Sequence, residues 1–174
     1  MPDATRVWPV GTRRQLLFDR RFVESSSGLQ FTLNPPLERR PVNLPRPNGL
    51  HHVNDLDVHI WQAKQRLDGF VSVDAGSDDG WLVTPPIAFE GSRLQLNIDC
   101  GAMGEAWVEL QDEAGKPLPG YAFEDAVSVD RNGVAQEGWW QTGPDVGSLS
   151  GRPVRLKLRM RSAKLYAFQF VKAG

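Results

Sequence analysis

Asp68–Gly76, reading DGFVSVDAG, and Val108–Tyr121, reading VELQDEAGKPLPGY, decide the fold of this chain. In the first, Val71, Val73 and Ala75 alternate with Phe70, Ser72 and Asp74. Around the second, Ala106, Val108 and Leu110 alternate with Trp107, Glu109 and Gln111. A period of two sends one set of side chains to a core and the other to water, the pattern of antiparallel strands. Turn chemistry brackets both runs. Ala75–Gly80 (AGSDDG) is one turn; Glu113–Lys116 (EAGK) is a tight hairpin turn, after which Pro117 and Pro119 force an extended path.

The same alternation extends in both directions. Leu56, Val58 and Ile60 alternate with Asp57, His59 and Trp61; Leu94, Leu96 and Ile98 alternate with Gln95, Asn97 and Asp99. Val154, Leu156, Leu158 and Met160 alternate with Arg155, Lys157, Arg159 and Arg161, and the closing run Lys164–Val171 places Tyr166, Phe168 and Phe170 on one face. Upstream, Gln15–Asp19 and Leu29–Leu33 read as strands with Ser25–Gly28 as the turn between them, and Asn132-Gly133 suits positive φ. Pro35, Pro36, Pro41, Pro45 and Pro47 exclude a helix or a central strand and give an extended connector. No segment has helical period; Asp145–Ser150 suits at most one short turn. The reading is all-β: an antiparallel β-sandwich of jelly-roll or concanavalin-like type, in one domain over 1–174. Residues 1–13 form a lead-in, 14–34 N-terminal strands joining the sandwich, 35–55 the connector and 56–171 the main sandwich.

A chain of 174 residues buries a full core without disulfides or metals. The net charge of −1 offers no field of one sign to draw in nucleic acid, and no apolar run is long enough to span a membrane. Met1–Gln15 contains no stretch of signal-peptide type, which makes a cytoplasmic address the simplest expectation. Cys100 stands alone, so no intrachain disulfide forms.

Several clusters carry potential chemistry. His51, His52, Asp55, Asp57 and His59 could supply metal ligands, but no second ligand set accompanies them, and a solvated loop entering a strand with a polar outer face is the simpler reading. Asp74, Asp78 and Asp79 offer calcium several oxygens, yet the Gly is misplaced for an EF-hand loop and no closing Glu follows; an Asp-rich turn is simpler. Glu124, Asp125 and Asp130 read the same way. No motif singles out a pair of carboxylates for glycoside hydrolysis, and no cofactor is expected. Cys100 has no adjacent His and reads as a small packing residue.

Tryptophan is the more informative set. Trp61 and Trp107 fall on the polar side of their strands, beside His59 and Glu109, and one of Trp139 and Trp140 must point away from the core. An exposed indole with nearby polar groups suits stacking on a sugar ring. The same residues could instead be covered by another segment or by a second copy of the chain. The ridge Arg155, Lys157, Arg159, Arg161 is expected to pair with Glu109 and Asp112 across neighbouring strands.

Arg66–Gly76 (RLDGFVSVDAG), Thr84–Asn97 (TPPIAFEGSRLQLN), Gly104–Asp125 (GEAWVELQDEAGKPLPGYAFED) and Ser148–Phe170 resemble the C-terminal β-sandwich of bacterial glycoside-hydrolase-like proteins related to families 32 and 43. Those proteins join a five-bladed propeller to a sandwich. Leu16–Pro36 (LLFDRRFVESSSGLQFTLNPP) is similar to the segment preceding their propeller. The resemblance implies a head and tail without the catalytic middle, with the head completing the sheets. Glu124–Gly133 (EDAVSVDRNG) departs from the family pattern in lacking a Cys. The expected function is a non-catalytic accessory protein that binds a carbohydrate, such as an oligosaccharide, or a protein through one sheet face, with Trp61, Trp107, Trp139, Trp140, His59 and Glu109 as the candidate ligand-binding residues. A structural protein that forms homo-oligomers through the Trp-bearing face is the alternative, and a small glycoside hydrolase comes third.

Overall fold

The computed structural model describes residues 6–42 and 60–174. Leu56–His59 and the cluster from His51 to His59 therefore lie outside the described residues. The strands are β1 (Trp8–Gly11), β2 (Gln15–Leu16), β3 (Ser25–Ser27), β4 (Leu29–Leu33), β5 (Glu38–Pro41), β6 (Trp61–Lys64), β7 (Val71–Ala75) and β8 (Gly80–Val83). There follow β9 (Ile87–Phe89), β10 (Arg93–Asp99), β11 (Glu105–Gln111), β12 (Ala126–Val127), β13 (Gly133–Glu137), β14 (Trp139–Trp140), β15 (Pro153–Arg161) and β16 (Ala163–Val171).

Two six-stranded sheets face each other, and their central strands are the last two in the chain. In the first sheet β15 lies between β11 and the β8–β9 pair, with β3 outside β8 and β1 parallel to β9. In the second, β16 lies between β10 on one side and β7 and β2 on the other, with β13 and β4 at the edges. The N-terminal residues thus contribute strands to both sheets. β8 and β9 are one strand with a one-residue bulge: Val83 lies opposite Lys157 and Ile87 opposite Val154. The interruption is Pro85-Pro86, where prolines remove ladder donors.

The two-residue period of β15 is fully expressed, with Val154, Leu156, Leu158 and Met160 buried and the intervening residues partly exposed. Their partners across the core include Leu94, Leu96, Ile98, Phe168 and Phe170, and the rings of Phe89 and Phe170 stack at 3.8 Å. Each fully buried Leu or Phe contributes about 1.5–3 kcal/mol of transfer free energy. The structure corrects the expected face of β16. The register shifts between Asn97 and Ile98, so the inward set changes from Ala163 and Leu165 to Phe168 and Phe170. Tyr166 falls at this bulge, and the Arg66 guanidinium lies 4.7 Å over its ring.

Two turns also differ from expectation. Ser25–Ser27 is a strand paired with β8, and the reversal falls on Gly28 alone, at φ +68. A Cβ on Gly28 would stand 3.0 Å from the Asp79 carbonyl, so the position requires glycine on both counts. Neither Asn132 nor Gly133 has positive φ, because Gly133 is already the first residue of β13. Part of the Pro-rich connector forms β5, which pairs only with β6 in a separate ribbon. The helical content of the described residues is two 3-10 turns, Arg20–Phe22 and Gly147–Leu149. Asp19 caps the first by accepting the Arg21 N–H.

The outer edge of β11 is sealed by Lys116–Val129. Leu118 N–H donates to Leu110 O, Leu110 N–H to Tyr121 O, and Ala106 and Val129 exchange both bonds. Between these contacts the Val108 carbonyl accepts from the indole Nε1 of Trp140 at 3.0 Å. A long exposed edge is thereby closed to pairing with another chain.

Candidate functional site

Because β8, β15 and β11 are neighbours, register decides which outward side chains meet. Arg159 pairs with Trp81 on one side and Trp107 on the other, giving a row Trp81–Arg159–Trp107 across three strands. The next row is Val83–Lys157–Glu109. The Arg159 guanidinium lies 4.4 Å over the Trp107 ring and 5.2 Å over Phe123, while the Lys157 ammonium lies 5.2 Å over Phe123. A cation over an aromatic face is worth about 0.5–2 kcal/mol, more when desolvated. Trp81 is 36% exposed and forms the open end of the row.

Phe123 reaches this face because Glu109 holds its loop down. Glu109 is buried, contrary to the exposed position expected for a ligand-binding carboxylate. It accepts from Gln111 Nε2 at 2.7 Å and from the Phe123 N–H at 3.1 Å, with Lys157 Nζ at 3.7 Å. A buried carboxylate needs such partners, and these fold the Lys116–Val129 segment onto the sheet. The basic ridge is otherwise paired: Arg155 with Glu24 and Arg161 with Glu105 at 3.1 Å. Asp112, an expected partner, instead accepts the Lys116 N–H within its own turn.

The fold of this chain is similar to that of a protein of known structure. One such structure is CsCBM6-3 from Clostridium stercorarium in complex with cellobiose, matched over 97% of this chain and 99% of that one, with a TM-score of 0.52. At 11% identity the likeness is one of fold alone. No family model matches the chain, and no curated protein matches it.

The remaining tryptophans do not join the row. Trp61, 59% exposed, lies on the β5–β6 ribbon; Trp139, 46% exposed, lies on the two-stranded β12–β14 sheet. Trp140 is 0% exposed and packs edge-on against Tyr121, so it belongs to the core and has no surface to offer a ligand. His59 lies outside the described residues. Two residues that complete the row are absent from the sequence candidates. Trp81 sits in the uniformly apolar triplet Trp81-Leu82-Val83, which gives no alternation to assign its face. Arg159 is visible in the basic ridge, but only register sets it between two indoles.

Over the outer face of the second sheet, Arg66 donates to Asn97 Oδ1, Asn132 Oδ1 and the carbonyls of Ile98 and Gly133. Asn97 in turn donates to Leu67 O and Asp68 Oδ2, and Asp68 pairs with Arg14 at 2.8 Å. This network ties the Gln65–Phe70 loop and the N-terminal segment to the sheet. Its donors are occupied, which makes it a structural rather than a ligand-facing arrangement. Asp74 is paired with Lys164 at 2.8 Å, raising the lysine pKa mainly through that hydrogen bond. Asp78 and Asp79 are exposed in the turn before β8. Among the described residues no group of three His, Cys, Asp or Glu is placed to hold a metal. The Cys100 thiol is fully buried and donates to Val129 O at 3.2 Å; burial pushes its pKa up to about 11.

Proposed function

We propose that this chain is a non-catalytic carbohydrate-binding module whose ligand lies across the outer face of the first sheet. The observation that carries the reading is the single row Trp81–Arg159–Trp107, an indole on each side of a guanidinium on adjacent strands. A pyranose ring offers a C–H face for an indole and hydroxyls for N–H donors, and Trp81 with Arg159 presents both kinds of group side by side. The fold shared with a module solved in complex with cellobiose supports the class of ligand. The resemblance of DGFVSVDAG and VELQDEAGKPLPGY to sandwiches attached to glycosidases is consistent with an accessory role.

The test is isothermal titration and affinity electrophoresis against neutral and acidic oligosaccharides, with wild type, Trp81→Ala and Trp139→Ala. Trp81→Ala should weaken binding roughly tenfold, the scale of one lost aromatic contact. Trp139→Ala, on a different sheet, should leave it unchanged. Wild-type binding that is equally strong in Trp81→Ala moves the site elsewhere, and no binding to any saccharide removes the reading.

A further inference from the structure

Resting on that reading, the charge of the same face specifies its ligand further. We propose that the row Trp81–Arg159–Trp107 takes an acidic saccharide, with Arg159 receiving the anionic group and Trp81 the adjoining ring.

The ridge on β15 carries four cations, and three have a carboxylate partner: Arg155 with Glu24, Lys157 with Glu109 and Arg161 with Glu105. Arg159 stands among them with none among the described residues; its neighbours are the rings of Trp107 and Phe123. Its Nε is also the one buried side-chain polar atom of the described residues without a hydrogen-bond partner. A desolvated guanidinium donor without an acceptor costs free energy that the fold elsewhere avoids. The Arg66 guanidinium shows the contrast, with its donors distributed over four acceptors.

The guanidinium carbon of Arg159 lies 4.4 Å over the Trp107 ring, and with Nε buried the two terminal nitrogens, unpartnered among the described residues, are the donors that could receive a planar carboxylate by two parallel bonds. The flanking Lys157 and Arg161 are each matched by a carboxylate, Glu109 and Glu105, so the unmatched positive charge of this part of the ridge is that of Arg159. Trp81, opposite Arg159 and exposed, lies at the distance of an adjacent strand, about 5 Å away along the sheet. That spacing suits a sugar whose ring rests on the indole while a substituent on the same ring reaches the cation. A neutral sugar would offer Arg159 hydroxyl acceptors but no charge to match its own.

The experiment compares oligogalacturonate with its methyl ester, which keeps the ring and removes the charge, and adds a sulfated oligosaccharide as a separate arm. Wild type should bind the acid at least roughly tenfold more tightly than the ester, the scale of one charge-assisted contact. Arg159→Gln should abolish that preference. Arg159→Lys should retain part of it, and Arg155→Gln, which removes an equal charge elsewhere on the ridge, should leave it intact. Circular dichroism of each variant separates loss of binding from loss of fold. Preference for the sulfated arm over the carboxylate, with the same Arg159 dependence, supports an anion site and changes the group it takes. Equal binding of acid and ester by wild type overturns the proposal while leaving carbohydrate binding in place. A preference that survives Arg159→Gln overturns it as well. Failure to bind any saccharide removes both readings.

Discussion

Replacing Trp140 with Phe should destabilise this protein more than any change at the exposed tryptophans. The indole is fully buried and its Nε1 donates to the Val108 carbonyl at 3.0 Å. That carbonyl lies on the outer edge of β11, between the backbone contacts of Ala106 with Val129 and of Leu110 with Leu118 and Tyr121. Phe cannot donate, and leaving a buried carbonyl unsatisfied costs about 1–3 kcal/mol. The smaller ring leaves roughly 40 Å³ unfilled, about 1 kcal/mol at about 24 cal/mol per Å³. The sum is about 2–4 kcal/mol. At a urea m-value of about 2 kcal/mol/M, the unfolding midpoint falls by about 1–2 M. The assay is urea denaturation followed by far-UV circular dichroism, with Trp139→Phe as the matched control, expected within about 0.5 kcal/mol of wild type. If the two variants shift the midpoint equally, the assignment of Trp140 as the donor that completes the β11 edge is wrong.

Three further outcomes are expected. Cys100 in the native protein should resist alkylation by iodoacetamide at pH 8 and react fully in denaturant, since the thiol is buried and holds its proton to about pH 11; rapid native labelling would contradict this. The same shift makes stability pH-dependent: the thiol's contribution is complete below its ordinary pKa of 9.0 and is lost as pH rises towards about 11, so the urea midpoint of wild type should fall over that interval more than that of Cys100→Ala. Gly104→Ala should severely destabilise the fold, because a Cβ there would stand 1.8 Å from the Cys100 carbonyl and 2.3 Å from that of Ser162; Gly76→Ala, with open space around it, should change little in a thermal melt.

The sandwich was legible because β10, β11 and β15 keep strict alternation, and alternation reports which face meets the core. Where the backbone departs from regular pleating, alternation misassigns faces. Tyr166 reads with Phe168 and Phe170 along the sequence, but the bulge opposite Asn97–Ile98 separates them. Glu109 reads as exposed because it alternates with Val108 and Leu110, yet a loop more than ten residues downstream folds back to bury it. The candidate face was only half visible. Trp107 and the basic ridge follow from the pattern of single strands, whereas the meeting of Arg159 with two indoles depends on the registers of β8 and β11 against β15. Register is a property of pairs of strands and cannot be read from either alone. The expected Trp-bearing face likewise divides, because Trp61, Trp107 and Trp139 belong to three separate sheets.

The position of β15 and β16 at the middle of the two sheets has a consequence for biosynthesis. Until Pro153–Val171 has left the ribosome, β7, β8, β9, β10 and β11 lack the central strand of their sheet, β1, β3 and β4 have only the unanchored β9, β8 and β7 as partners, and β2 has none. The nascent chain must therefore carry its apolar strands without their central partners until residues 153–171 emerge. Folding is then a late, long-range event of the kind that proceeds slowly and invites chaperone engagement. A ribosome stalled before residue 153 would hold a protease-sensitive chain, and one stalled well beyond residue 171 a resistant one.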